Sequence, residues 1–221
     1  MIVLGIETAT LQVGCALGGH EGVLATFHAA RGRRHAEILT PAIEFVCAQA
    51  EISLSEVGAV AVDIGPGLFT GLRVGVATAK AMAQALRVPV IGLSSLDLLA
   101  YPVRYTHRLI ACVIDARRGE VFTALYRQVP GGVQRLTDPA VTSASELASE
   151  LMARRKECLL VGDGAVRYAD AFVGLSEVEL AQPRAQREQF VQPWELSPLY
   201  LRQADADINW DRRLVPHPPS A

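Results

Sequence analysis

The chain has 221 residues, a formal net charge of −2, and a composition that is 50% hydrophobic and 20% charged. That balance can bury the core of one large or two small domains and excludes a disordered chain. It also gives no basic footprint over the whole molecule, so nucleic-acid binding through bulk charge is not expected. Cys15, Cys47, Cys112 and Cys158 lie far apart, mostly in apolar runs and without CxxC spacing. They read as buried free thiols in a reducing cytoplasm, not a zinc site. The opening Met1-Ile2-Val3-Leu4-Gly5 lacks the basic region and cleavage site of a signal peptide, and no apolar run is long enough to span a membrane.

Ile2–Glu7, Val13–Gly18 and Val23–His28 read as three antiparallel strands. The first two are joined by Thr8-Ala9-Thr10-Leu11-Gln12, a turn that either lies near a nucleotide or is an ordinary hydrogen-bonded hairpin. A basic loop, residues 31–35, leads into a helix whose Ile38, Ala42, Phe45 and Val46 define one apolar face, with Pro41 tolerated in its early turns. His35 has no histidine or carboxylate at i+4 and reads as a capping or interface group, since a metal site needs several ligands. Ser53-Leu54-Ser55-Glu56 has the pattern of a capping box.

The stretch from Gly58 to Ala100 organises the chain. Ala59–Ile64 is an apolar, β-branched strand, followed by the loop Gly65-Pro66-Gly67-Leu68-Phe69-Thr70-Gly71. Thr70 or Gly71 is expected to cap a helix from about Leu72 to Leu86, in which Leu72, Val76, Ala79, Ala83 and Leu86 share helical spacing. Val88–Leu93 is a second buried strand, and Ser94 or Ser95 starts a further helix through Ala100. Strand, glycine loop, helix and strand form a right-handed βαβ unit with parallel strands. A glycine loop at a helix start suits an anion, but this loop is neither GxxxxGK[ST] nor GxGxxG, so a tight turn packing helix on sheet is the default.

Past a boundary at residues 101–107, Leu109–Asp115 and Glu120–Arg127 read as a hairpin turning at Gly119. Asp115 and Glu120 there either form a carboxylate pair or an Asp–Arg-clasped turn, and the turn is favoured. Gly131-Gly132 is another turn, and a helix starts at Ser143 and ends near Arg154-Arg155-Lys156. Cys158–Ala165 is a strand with a glycine turn into a helix, and residues 212–221 form a proline-rich tail expected to be disordered.

The segment GPGLFTGLRVGVATAKAMAQALRVPVIGLSSLDLLA closely resembles the signature of the bacterial TsaB (YeaZ) family, which usually reads GPG-S-FTGLR-(I/V)-G; Leu68 replaces the serine. The resemblance recurs in His35-Ala36-Glu37-Ile38-Leu39, DARRGEVF, Gly162-Asp163-Gly164 and Pro198-Leu199-Tyr200-Leu201-Arg202, and so spans residues 1 to about 207. It implies an α/β, two-lobed fold of the actin, heat-shock-chaperone and sugar-kinase class, with a mixed sheet and helices in each lobe. Expected bounds are 1–102 and 103–207 for the lobes and 208–221 for the tail.

The resemblance further implies a dimerisation subunit of the machinery that makes threonylcarbamoyladenosine in tRNA. The catalytic paralogue, TsaD, carries an HxxxH pair on the helix after the βαβ unit, where two histidines share a face and grip a metal. Here that place reads Ser94-Ser95-Leu96-Asp97-Leu98-Leu99-Ala100, without histidine. The expectation is a non-catalytic chain with no cofactor or metal of its own, ATP or ADP lodging at the complex interface. It pairs with TsaD, works with the ATPase TsaE, forms a homodimer when alone, and meets tRNA only through the complex, without membrane contact. The expected partner interface is His35, Ile38, Leu39, Ala42, Leu72, Arg73, Val76, Ala79, Lys80 and Ala83; Glu7, Thr8, Thr10, Gly65 and Gly67 are candidate nucleotide-proximal residues. The competing reading is an autonomous ATPase, kinase or peptidase on the same fold.

Overall fold

The computed structural model describes residues 1–30 and 34–173 and the short strand Val178–Glu179. Arg31 to Arg33, the Pro198–Arg202 motif and the proline-rich tail with His217 lie outside the described residues.

The first sheet has five strands in the order β3-β2-β1-β4-β5. β1 (Ile2–Glu7), β2 (Val13–Gly19) and β3 (Gly22–Ala29) form the expected antiparallel meander. β4 (Val57–Gly65) joins β1 in parallel, and β5 (Val90–Ser94) joins β4 in parallel. Between them run α1 (His35–Ala50) and α2 (Phe69–Leu86), packed together on one face of the sheet. The capping box at Ser53 forms, with Glu56 reaching back to the Ser53 amide.

The second sheet repeats this plan. β6 (Leu109–Arg117), β7 (Glu120–Val129) and β8 (Gly132–Arg135) are antiparallel neighbours; β10 (Cys158–Val161) and β11 (Val178–Glu179) extend β6 in parallel, and β9 (Ala140–Ser143) pairs with β7. Arg118 and Gly119 make the β6–β7 turn with φ of 58° and 82°, the left-handed pair that a two-residue hairpin requires. α4 (Ala144–Ala153) and α5 (Asp163–Arg167) cover one face. Two mixed sheets with the same strand order, each with helices, are the two-lobed α/β architecture of the actin, chaperone and sugar-kinase class.

α3 (Ser95–Ala100) joins the lobes. Its Leu96 and Ala100 pack on the second sheet, while Leu98 packs with Ala59, Ala61, Ile91 and Leu93 of the first. The four cysteines are buried free thiols. Burial raises the Cys15 thiol to about 12.

Candidate functional site

The site grows from the turn after β1. Thr8 is fully buried and donates its hydroxyl to the Gly71 carbonyl at 2.8 Å. The Ala9 carbonyl accepts from the Leu68 amide at 2.6 Å, and the Thr10 carbonyl lies 2.8 Å from His35 Nε2. Gly67, in the loop before α2, and Gly71 and Gly75, on one stripe of α2, recur every fourth residue. A Cβ at each would run into the Ala9 carbonyl, the Thr8 carbonyl and the Thr8 hydroxyl respectively. These glycines therefore let the hairpin turn lie flat on the start of α2. Neither Thr70 nor Gly71 caps that helix. It begins one turn earlier, with Leu68 at the cap and no side-chain cap bond, because the glycines serve close contact with the turn rather than chain reversal.

Beside the turn stands a carboxyl pair. Asp63, at the end of β4, is buried and accepts from the Gly65 amide at 2.7 Å and the Ser95 hydroxyl at 2.6 Å. Glu7 accepts from the Ala9 amide at 2.6 Å and shares a side-chain hydrogen bond with Asp63. Burial pushes the Glu7 carboxyl well above its ordinary value, and the neighbouring Asp63 pushes it further. Burial also raises Asp63, while the hydrogen bonds from Glu7, Ser95 and Gly65 oppose that rise. Burial thus favours the neutral form in this pair, most strongly at Glu7. The pair sits at one end of an open groove of about 970 Å³ along the sheet face opposite α1 and α2, lined by Gly5, Ala16, Ala61, Leu93 and Tyr101 among others. Sequence reading did not single out Asp63. Its signal was an acid inside the apolar run Ala59–Ile64, since a buried carboxylate requires a partner.

The expected partner surface divides into two faces. Leu39, Ala42, Leu72, Val76, Ala79 and Ala83 are core residues that face this chain's own sheet, and His35 is buried against the hairpin turn. These seven expected interface residues therefore lie on the covered side of the helices. The i, i+4 spacing marks the apolar face of each helix, and the sheet already occupies that face. The outward face of α2 instead carries Thr70, Arg73, Ala77, Ala81, Gln84 and Ala85. Arg73 lies over the Phe69 ring at 3.8 Å, and Lys80 and Ile38 are partly exposed. On α1, Phe45 is 50% exposed and meets Phe27 edge-on at 6.1 Å.

On α3, Asp97 accepts from the Tyr126 hydroxyl at 2.8 Å and pairs with Arg135 at 2.7 Å. Asp115 is clasped as the turn reading expects: the Arg117 amide and Tyr168 hydroxyl donate at 2.9 Å each, with Arg117 and Arg167 guanidiniums at 3.3 and 3.4 Å. Among the described residues, no three metal-ligating side chains come together, and no helix is long and apolar enough to cross a membrane.

Known proteins agree with this architecture. The family model described as TsaD, tRNA N6-adenosine threonylcarbamoyltransferase, matches residues 23–177. The tRNA threonylcarbamoyladenosine biosynthesis protein TsaB of Escherichia coli is 31% identical over 77% of this chain and 74% of its own length. The Bacillus subtilis protein of the same name is 26% identical over 95% of this chain and 98% of its own length. An uncharacterised Mycobacterium leprae protein is 39% identical over 93% of this chain, which spans 56% of that protein's length. The structure of YeaZ from Pseudomonas aeruginosa superposes with a TM-score of 0.76 at 26% identity, covering 90% of this chain and 99% of that one. The chain belongs to the TsaB (YeaZ) family, whose named members are proteins of tRNA threonylcarbamoyladenosine biosynthesis.

Proposed function

We propose that this chain is a non-catalytic subunit that pairs with the metal-dependent threonylcarbamoyl transferase of TsaD type and activates it. The modified base is the adenosine next to the anticodon in tRNA. The observation that carries this reading is the outward face of α2, where Ala77, Ala81 and Ala85 recur at helical spacing. With no long side chain along that line, a partner helix can approach closely and bury Phe45 and Ile38 of α1 at the margin. Leu39, Ala42, Leu72, Val76, Ala79 and Ala83 hold the two helices on the sheet from beneath. Arg73 and Lys80 lie at the rim.

In this reading the lobe of residues 1–102 carries the partner face, and the lobe of residues 103–207 completes the subunit. An ATPase of TsaE type is the third component, ATP or ADP lodges at the complex interface near Glu7, Thr8, Thr10, Gly65 and Gly67, and tRNA is met in the complex. Alone, the chain covers the same face as a homodimer. The setting is the cytoplasm. The test is reconstitution from purified transferase, ATPase subunit, tRNA, ATP and threonylcarbamoyl-AMP, with and without this chain. Modification that requires the wild-type chain and fails with Ala77→Arg supports the reading. Modification indifferent to the chain overturns it.

A second reading, an autonomous ATPase, kinase or peptidase, draws on the Glu7–Asp63 pair at the end of the groove. ATP turnover by the chain alone, lost in Glu7→Gln, favours it; no turnover removes its support.

A further inference from the structure

The segment that enters the second sheet carries a cluster that the partner face does not use. The Arg104 guanidinium lies 4.1 Å from the Tyr101 ring centroid and 4.4 Å from that of Tyr105. It donates to the Tyr101 carbonyl at 3.0 Å and to the Tyr105 hydroxyl at 2.8 Å, which fixes the Tyr105 ring. Tyr105 nevertheless remains 73% exposed. A tyrosine so exposed and yet held in place is unusual for a surface side chain, whose rotamer freedom normally works against order. Next to it is a hollow of about 330 Å³ lined by Pro102, Val103, Tyr105, Thr106, Arg108 and Leu159.

Positive charge collects at the same corner. The Leu109 amide donates to the Glu157 carbonyl at 3.0 Å, and Cys158 is in register with Leu109. That pairing brings the exposed Arg155 and Lys156 alongside the exposed His107 and the partly exposed Arg108. Glu157 is the acid there, 3.6 Å from Arg108. A local cationic strip in a chain of net charge −2 is a departure from the average surface. An ordered aromatic ring, an apolar-floored hollow and flanking cations are what single-stranded RNA requires: a face on which to stack a base and charges to meet its phosphates.

We infer that this corner contacts tRNA directly: Tyr105 stacks an unpaired base over the hollow, and Arg108, Arg155 and Lys156 meet the adjoining phosphates. The inference rests on the reading of the chain as a subunit of tRNA modification and adds a direct contact to it. The test is a titration of fluorescent unmodified tRNA with the full chain in complex with the transferase, at several salt concentrations. Tyr105→Ala should weaken tRNA binding about 10-fold. Arg155→Glu with Lys156→Glu should weaken it and flatten the dependence of log affinity on log salt by about one unit per lost phosphate contact. Tyr105→Phe keeps the stacking face but loses the hydroxyl that Arg104 holds, and should weaken binding less than Tyr105→Ala. Unchanged affinity and slope in both variants overturn the inference, as does loss of complex assembly in place of RNA affinity, which marks a protein-docking surface. Modification that still depends on the chain while tRNA affinity ignores the variants refutes this contact alone. Modification that does not need the chain refutes the subunit reading.

Discussion

Tyr126 donates its hydroxyl to Asp97 across 2.8 Å, joining β7 of the second sheet to the helix that links the lobes. Tyr126 is fully buried, and Asp97 also holds Arg135 at 2.7 Å. The two ends of the bond are therefore unequal. Tyr126→Phe removes one hydrogen bond and leaves Asp97 paired with Arg135, at a cost of about 1 kcal/mol. Asp97→Ala removes the acceptor shared by the buried Tyr126 hydroxyl and the partly exposed Arg135 guanidinium, and should cost about 2–3 kcal/mol. Urea denaturation of the variants decides the matter; equal losses for the two would mean that Asp97 does not organise the cluster.

The Glu7–Asp63 pair makes stability depend on pH with a definite sign. Glu7 has an ordinary value of 4.5 that folding raises well upward. Above 4.5 the unfolded chain releases this proton while the folded chain keeps it. The folded state then binds more protons, so its stability falls as pH rises from 4.5 toward the raised folded value, by up to about 1.4 kcal/mol per pH unit. Glu7→Gln keeps a donor for Asp63 and removes the titration. The variant should gain on wild type as pH rises above 4.5 toward the raised folded value, in urea unfolding. A difference that stays constant with pH would show that Glu7 ionises normally.

What the sequence made legible was local. The capping box read at Ser53 forms because donor and acceptor lie within one turn, and the helix read from Ser143 starts there with a box of its own. Strand order follows from three short antiparallel strands and then a βαβ unit. The spacing of Leu72, Val76, Ala79 and Ala83 showed one apolar face on α2 but not what it meets, because periodicity records a buried face whether sheet or partner buries it. The glycine stripe of α2 and the Thr8 hydroxyl bond join positions 63 residues apart, so no local pattern could pair them. Asp63 was hidden for the same reason: its Ser95 partner arrives from another element.

Gly71 tests that stripe. In an exposed helix, glycine to alanine gains about 1 kcal/mol. Here the new Cβ would collide with the Thr8 carbonyl, a backbone atom that the hairpin holds in place. The clash outweighs the propensity gain, and Gly71→Ala should be destabilising by about 1–3 kcal/mol. Thermal melting of Gly71→Ala beside wild type measures it; an unchanged or raised midpoint would mean that the turn yields freely.

α2 offers a sharper contrast, between Ala79 and Ala81, two residues apart on opposite faces. Ala79 is fully buried under the helix and Ala81 is exposed on its outer side. Arginine at position 79 forces a charged side chain between helix and sheet, and Ala79→Arg should fail to fold or lose more than about 4 kcal/mol. Arginine at position 81 reaches into solvent, so Ala81→Arg should stay within about 0.5 kcal/mol of wild type. In the proposed pairing, the same arginine stands where the partner helix approaches. Retention of the transferase by tagged Ala81→Arg should therefore drop sharply while its melting curve matches wild type, a pairing that a folding defect cannot produce. Full retention by a well-folded Ala81→Arg would move the partner surface away from α2 and leave the Phe45 side of α1 as the place to look.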